Sequence, residues 1–176
     1  MIETHPFGSF VPKKTSYLLL GSFTARQAVA GPERNSYDWF YTTKRNQFWP
    51  ILEKVYGASL GNKSDKLKLF ENLGIAITDI ILQCERKADS NLDTNLTNIV
   101  FNIQVISNII QKNNVKTIFF TSRFVEHLFR SRFKHIIDLY PKTRLVTLPS
   151  PSPRFARMSK GQKIARYRKL LPKLNK

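Results

Sequence analysis

Short apolar runs alternate with amphipathic segments along this chain of 176 residues. The apolar runs cover residues 17–20, 75–81, 117–120 and 145–148. Runs of aliphatic, aromatic and β-branched residues of this length are typical of strands that are buried on both faces of a parallel sheet. Because helical segments separate them, the pattern predicts an α/β fold, a three-layer α/β/α sandwich with a central, mostly parallel, four-stranded twisted sheet.

Cap residues and helical spacing locate the helices. Asn46 and Ser122 suit helix starts, whereas Gly57 and Gly74 suit helix ends. The predicted helices span residues 46–56, 63–73, 96–112, a segment after residue 122, and 160–171; the third follows from isoleucines spaced three and four apart. Residues 84–95 are predicted to form a polar loop. Residues 1–16 are predicted to be an arm packed on a single domain that spans residues 1–176.

The composition favours a polyanionic partner in a reducing compartment. Lys and Arg number 29 against 12 Asp and Glu, which gives a net charge of +17, so nucleic acid is the first candidate partner. Cys84 is the only cysteine, which excludes an intramolecular disulfide and a four-cysteine metal site. The sequence shows no secretion signal and no long apolar span, so we expect a cytoplasmic, nucleoid-associated protein without a membrane partner.

Candidate chemistry concentrates where predicted strands end. Pro149, Pro151 and Pro153 end the last strand and make residues 150–154, here called the Ser-Pro loop, stiff and extended. The carboxyl edge of a parallel sheet is the usual place for a site, although a plain connection to the final helix is the alternative. That helix is basic, and its positive residues, which include Lys163, suit a solvated face as well as a binding surface.

Other residues have a functional and a structural interpretation. Asp79 ends an apolar run, where a carboxylate is costly unless it is hydrogen-bonded or functional. Asn46 suits a plain helix cap. The aromatic cluster of Tyr37, Trp39, Phe40 and Tyr41 suits either a core patch or a platform on which bases stack. The histidines are dispersed, with no metal-ligand spacing.

Several motifs in order resemble the uracil-DNA glycosylase superfamily. They are GSF at 21–23, RNQFWP at 45–50, GIAITD at 74–79, CER at 84–86 and LPSPSP at 148–153. Within the superfamily they are most similar to the hypoxanthine-DNA glycosylase branch, whereas residues 152–171 also resemble mismatch-specific thymine and uracil glycosylases. The resemblance covers residues 17–171.

The resemblance implies a monofunctional DNA glycosylase of base excision repair. Such an enzyme flips a deaminated or mismatched base, for example uracil or hypoxanthine, out of the helix and hydrolyses its N-glycosidic bond. The implied partner is double-stranded DNA with a damaged or mismatched base, with single strands as a further possibility, and the implied state is a monomer. No cofactor or metal is implied.

The same resemblance assigns roles to individual residues. Asn46 is the main catalytic candidate, holding water or polarising the base, and Asp79 is the reserve general base. Tyr41, Phe23 and Ser22 are the candidates for contacting the flipped base. Many relatives have Asn or Asp where Phe23 stands, which keeps open the alternative of a catalytically inactive DNA-binding protein of the same fold.

The Ser-Pro loop and the residues after it are the DNA-binding candidates. Ser150 and Ser152 match residues that bond the phosphates around the flipped nucleotide. Arg154 matches the residue that mismatch glycosylases insert into the stack, and Arg157 and Lys160 extend the basic surface. A third, more distant alternative is an RNA-binding or membrane-surface protein that relies on charge alone.

Overall fold

A computed structural model of the chain describes residues 1–24, 39–87 and 92–174. In chain order the strands are β1 Ile2–Thr4, β2 Tyr17–Gly21, β3 Ile75–Asp79, β4 Ile81–Arg86, β5 Leu96–Phe101, β6 Thr117–Phe120 and β7 Arg144–Thr147. The helices are α1 Phe48–Tyr56, α2 Lys63–Leu73, α3 Ile103–Lys112, α4 Arg123–Arg132, α5 Lys134–Leu139 and α6 Lys160–Leu170. Tyr37 of the aromatic cluster lies outside the described residues.

The central sheet is parallel and has the strand order β3-β2-β6-β7, which confirms the predicted fold class. Alternate residues of β2 point to opposite faces. Leu19 belongs to the core with buried residues of α1, α2 and α6, whereas Leu18 and Leu20 belong to the core with those of α3, α4 and α5. The sheet is therefore covered on both faces, as the uninterrupted apolar runs predicted.

The prediction for residues 84–112 is wrong in part. Strands β1, β4 and β5 form a second, antiparallel sheet in the order β1-β4-β5. Residues 84–86 of the predicted polar loop continue β4, and residues 96–101 of the predicted helix are β5. Ile99 and Ile103 lie four residues apart and extended the helical spacing too far. In β5 the burial alternates instead, as the pleat of a half-exposed strand requires.

Several contacts bring chain segments to the carboxyl edge of the central sheet. β2 lies between β3 and β6, so the chain moves one way along the sheet from β2 to β3 and then the other way from β3 to β6. Such a reversal of direction is where α/β sheets have a crevice at the carboxyl ends of their strands. Asn102, just before α3, donates to Thr78 Oγ1 and to the Asp79 carbonyl, each at 3.2 Å. The arm adds β1 to β4 and bridges Phe10 to Ile77. Among the described helices, none has the length and apolarity needed to span a bilayer.

Candidate active site

Gly21 lies at the centre of the candidate site, at the carboxyl end of β2. A Cβ at this position would collide with the Tyr41 hydroxyl and with Asp79 Oδ1. Tyr41 has a left-handed backbone with φ of 57°, and its hydroxyl donates to Thr121 Oγ1 across 3.2 Å. The lack of a side chain at Gly21 therefore allows a phenol and a carboxylate to meet over the strand end.

Asp79 forms a buried ion pair with His5 of the arm. His5 Nε2 lies 2.8 Å from Asp79 Oδ2, and both side chains are only 5% exposed. The other ring nitrogen, Nδ1, lies 2.7 Å from the Phe7 carbonyl oxygen. The Phe7 backbone N–H lies 3.2 Å from the same Nδ1. Nδ1 therefore donates to the carbonyl when the ring is charged and can accept from this N–H when Nδ1 carries no hydrogen. Burial opposes the charged ring, but the hydrogen bond and charge of Asp79 outweigh it and raise the pKa of His5.

The second carboxylate oxygen of Asp79 lacks a donor. Oδ1 is buried and has no hydrogen-bond partner among the described residues. The Tyr41 hydroxyl lies near it but donates to Thr121. Burial and the Asp79 charge raise the pKa of Tyr41, so the phenol stays protonated. The site therefore keeps one strong acceptor unused at the sheet edge, and a buried acceptor without a donor is costly.

Aromatic rings enclose the His5 imidazole. Phe40 stacks on it with a centroid distance of 5.5 Å and an interplanar angle of 28°. Phe7 and Phe23 meet it edge-on, with centroid distances of 6.0 Å and 5.6 Å. The Phe40 backbone is held in turn, because its carbonyl accepts from Trp49 Nε1 at 2.7 Å. The ring of His5 is thus fixed by packing as well as by Asp79.

The turn after β2 has contacts that hold two of the predicted base-binding residues. Arg86 donates to the Thr24 carbonyl at 3.0 Å, and its guanidinium lies 5.5 Å from the centre of the Phe23 ring. Ser22 lies against the carboxylate of Asp93, whose pKa is raised by burial and held back by the Ser22 hydroxyl. Phe23 and Ser22 therefore lie at the carboxyl edge of the sheet, and their contact with a base stays a prediction.

Asn46 precedes α1 and shapes its start. Its Oδ1 accepts from the Phe48 backbone N–H at 2.9 Å, and its own N–H donates to the Thr43 carbonyl at 2.8 Å. The helix cap is Gln47, so the predicted cap is one residue early. Among the described residues no acceptor bonds the side-chain nitrogen of Asn46. A carbonyl oxygen has two lone pairs, so Oδ1 can still accept from one water.

The serine hydroxyls of the Ser-Pro loop hydrogen-bond the backbone of the loop itself. Ser150 Oγ accepts from the Ser152 N–H at 3.3 Å, and Ser152 Oγ accepts from the Arg154 N–H at 3.2 Å. Each hydroxyl keeps its hydrogen for another acceptor. The loop also bonds the start of α1, because Gln47 N–H donates to the Pro151 carbonyl at 3.0 Å. The segment that holds Asn46 is therefore joined to the loop.

Two residues of helix α6, one helical turn apart, hydrogen-bond the backbone of the Ser-Pro loop and of the proline before it. The Tyr167 hydroxyl, fully buried, donates to the Pro149 carbonyl at 2.8 Å. Lys163 Nζ donates to the Ser152 carbonyl and to Gln47 Oε1, each at 3.0 Å. Lys163 is 1% exposed and burial lowers its pKa. The interpretation of this lysine as part of a solvated face is therefore wrong.

The remaining basic candidates lie on the surface. Arg154, Arg157 and Lys160 are all exposed.

The buried Lys163 has a ring contact and no ion pair. Its Nζ lies 5.5 Å from the centre of the Phe155 ring, and in the described part of the chain no carboxylate pairs with it. Within the described ranges no group of three or more His, Cys, Asp or Glu side chains could hold a metal ion.

Solved structures include chains with a similar fold. No protein-family model and no curated protein matches this sequence. An NMR structure of a candidate uracil DNA glycosylase from Methanosarcina acetivorans matches with a TM-score of 0.63 and 19% identity. The match covers 97% of this chain and 99% of that one. The two chains share a fold. A match at this identity shows the fold alone.

Sequence reasoning missed three residues of this edge. His5 carried no signal beyond being a lone histidine, because its partner Asp79 lies 74 positions away. Asp93 was hidden in the predicted polar loop. Lys163 had a weak signal, since it and Tyr167 lie one helical turn apart on a helix that is otherwise basic.

Proposed function

We propose that this protein is a monofunctional DNA glycosylase of base excision repair. It flips a deaminated or mismatched base, such as uracil or hypoxanthine, out of the duplex and hydrolyses the N-glycosidic bond, acting as a cytoplasmic monomer. The observation that carries the proposal is the junction between the Ser-Pro loop and the start of α1. Gln47 and Lys163 tie a candidate phosphate-binding loop to the segment of Asn46, at the sheet edge where Asp79 also lies.

The charge distribution supports a grip on DNA that is independent of sequence. The hydroxyl hydrogens of Ser150 and Ser152 remain available for phosphate oxygens, and Arg154, Arg157 and Lys160 are exposed beside them. Lys163 adds a buried positive charge behind the loop. Three prolines limit the loop's freedom before binding, so little entropy is lost when a phosphate is bound. Arg154 suits the gap that a flipped base leaves in the stack.

A lesion panel tests the activity. Duplexes that each carry one uracil, thymine mismatch, hypoxanthine, xanthine or alkylated base are incubated with the purified protein, and alkaline cleavage then nicks any abasic site. We expect a nick in at least one deaminated or mismatched duplex. Asn46→Ala should lose most of this activity, whereas Asn72→Ala, an exposed asparagine of α2, should keep it. No release from any duplex would contradict the enzymatic proposal.

The second candidate is a DNA-binding protein of the same fold without catalysis. Two observations favour it: Phe23 stands in the turn where many relatives have a polar residue, and Asn46 Oδ1 already accepts from Phe48. Such a protein binds lesion duplex with an affinity that falls steeply with salt, yet releases no base. Binding measured together with base release on one duplex distinguishes the two candidates.

A further inference from the structure

The start of α1 is joined to the Ser-Pro loop by a closed set of three hydrogen bonds. The Gln47 N–H donates to the Pro151 carbonyl at 3.0 Å. Lys163 Nζ donates to Gln47 Oε1 and to the Ser152 carbonyl, each at 3.0 Å. We propose that Gln47 is a positioning residue that couples the binding of a DNA phosphate by the loop to the orientation of the neighbouring Asn46 side chain. This inference rests on the proposed glycosylase function and deepens it.

The side chain of Gln47 serves this connection and not the helix that begins there. Gln47 is the N-cap of α1, a position where a side-chain oxygen usually accepts from a backbone N–H of the first turn. The Gln47 side chain makes no such bond. Because a lysine can only donate, the amide oxygen of Gln47 must face Lys163. The contact with Lys163 therefore stands in place of a helix cap.

Other contacts already hold α1 against α6. Arg168 donates to the Lys54 carbonyl at 3.0 Å, and the Tyr56 hydroxyl donates to the Pro172 carbonyl at 2.9 Å. Aromatic rings of the two helices also pack against each other. Docking of the two helices therefore does not depend on Gln47. Its bonds add a fixed relation between the Ser-Pro loop and the first residues of α1.

The buried Lys163 is a costly way to support a loop unless an anion is bound nearby. The lysine is 1% exposed, and within the described ranges it donates to neutral oxygens and pairs with no carboxylate. A buried charge without a counter-charge costs free energy, and an apolar side chain of similar volume is often as stable. A phosphate on the loop compensates this charge. Phosphate binding therefore strengthens the set of bonds to which Gln47 belongs.

Asn46 is the residue on which this coupling acts. Its N–H donates to the Thr43 carbonyl at 2.8 Å, and its Oδ1 accepts from the Phe48 N–H at 2.9 Å. Both bonds are local, so they fix the turn but not its place relative to bound DNA. Gln47 provides that reference, because its backbone and side chain are both tied to the loop. A misplacement of about 1 Å can cost about 100-fold in rate.

The first test separates binding from the chemical step in single-turnover base release on the best duplex of the lesion panel. Gln47→Leu keeps the backbone bond to Pro151 and removes the acceptor for Lys163. We expect the maximal rate at saturating enzyme to fall about tenfold, while the enzyme concentration at half-saturation changes by about twofold or less. Gln47→Glu keeps an acceptor and should stay within about threefold of the wild-type rate. Gln111→Leu, at an exposed glutamine of α3, is the matched control and should behave as wild type.

A double-mutant cycle with Asn46→Ala tests whether Gln47 acts through its neighbour. If it does, Gln47→Leu should change the residual rate of Asn46→Ala by less than about twofold. A loss of about tenfold in both backgrounds would be an independent, merely structural contribution. That result would overturn the inference while the glycosylase function stands. A Gln47→Glu variant as slow as Gln47→Leu would overturn it as well.

A measurement that needs no catalysis follows the coupling directly. The ¹⁵N-labelled protein is titrated with a duplex that carries a tetrahydrofuran analogue of an abasic site. We expect the Ser152 amide and the Asn46 side-chain amide signals to shift together in the wild type, and only the Ser152 signal to shift in Gln47→Leu. An unmoved Asn46 signal in the wild type, or an unmoved loop, overturns the inference. Coupled shifts in a protein that releases no base from the lesion panel overturn the proposed activity and leave the coupling standing.

Discussion

The two sides of the sheet edge handle charge in opposite ways. At the end of β3, the charges are buried and compensated, because His5 pairs with Asp79. In the adjoining antiparallel sheet, Arg86 of β4 pairs with the partly buried Glu3 of β1. At the end of β7, the cations after the Ser-Pro loop are exposed, and the buried Lys163 donates only to neutral oxygens. On the β3 side, carboxylates of the protein pair with the positive groups. On the β7 side, exposed positive side chains remain in excess.

This difference corresponds to two physical tasks. A compensated buried pair fixes geometry and protonation, which is what a proton transfer needs. A surplus of cations costs free energy in the isolated protein and is relieved by an anionic ligand, which is what phosphate binding needs. The comparison therefore predicts that substitutions on the β3 side change stability and chemistry, and that those on the β7 side change affinity and its dependence on salt.

Breaking the His5–Asp79 pair should have the largest effect on stability. Removal of one partner from a buried ion pair costs about 3 kcal/mol, so His5→Gln should lower the free energy of unfolding by about that much near pH 6. Because the pKa of His5 is raised by folding, the stabilisation is fully present below the histidine pKa of the unfolded chain. It is lost as the pH rises through the raised folded value.

Urea unfolding of wild type and His5→Gln between pH 5.5 and 9 measures this dependence. The difference between the two proteins should be greatest at the acidic end and should shrink toward the alkaline end. His127→Gln, at an exposed position, serves as the control and should show no such trend. A difference that grows with pH would contradict the assignment of the charged form to the folded state.

A methyl group at Gly21 should have the next largest effect. The added Cβ of Gly21→Ala would collide with the Tyr41 hydroxyl and with Asp79 Oδ1, and overpacking of this kind costs about 2 kcal/mol. Gly61→Ala is the matched control, since nothing lies within 4 Å of its Cβ position. Equal urea midpoints for the two variants would show that the close approach over β2 does not exist.

The central sheet could be predicted from the sequence because its strands lie between two layers of helices and therefore appear as uninterrupted apolar runs. The apolar runs at 17–20 and 117–120 match β2 and β6 within a residue. The sequence was insufficient for the antiparallel sheet, because β5 is half-exposed and its isoleucines continue the spacing of α3. The non-helical loop of Ser150 and Ser152 was predictable from its prolines, while the contact of these serines with phosphate stays a prediction. His5 was not predictable, because only the fold brings the arm to Asp79.

Removal of the buried lysine should affect binding more than folding. Lys163→Met keeps the apolar stem but removes the donor to Ser152 and Gln47. We expect affinity for duplex DNA to fall about tenfold, or about 1.4 kcal/mol, because the loop loses its support and its positive charge. Stability should change by about 1 kcal/mol or less, since replacing a buried charge by an apolar side chain is often nearly neutral.

Lys169→Met on the same helix is the control for charge alone. Lys169 is exposed, so its replacement removes one positive charge without touching the loop. Fluorescence anisotropy with a lesion duplex at fixed salt gives both affinities, and thermal unfolding gives the stabilities. If the two variants bind equally well, Lys163 supports no special geometry and contributes only net charge.

The smallest effect should come from Arg154, whose side chain is exposed. Arg154→Ala should leave the free energy of unfolding within about 0.5 kcal/mol of wild type. It should lower the slope of log affinity against log salt concentration by about 1, because one phosphate contact releases about one counterion. Arg144→Ala is the matched control: Arg144 is also exposed but lies at the amino end of β7, on the opposite edge of the sheet. If the Ser-Pro loop is part of the DNA-binding surface, Arg154→Ala lowers the slope and Arg144→Ala leaves it unchanged. Equal decreases in the two variants would mean that the protein binds polyanions through net charge over its whole surface.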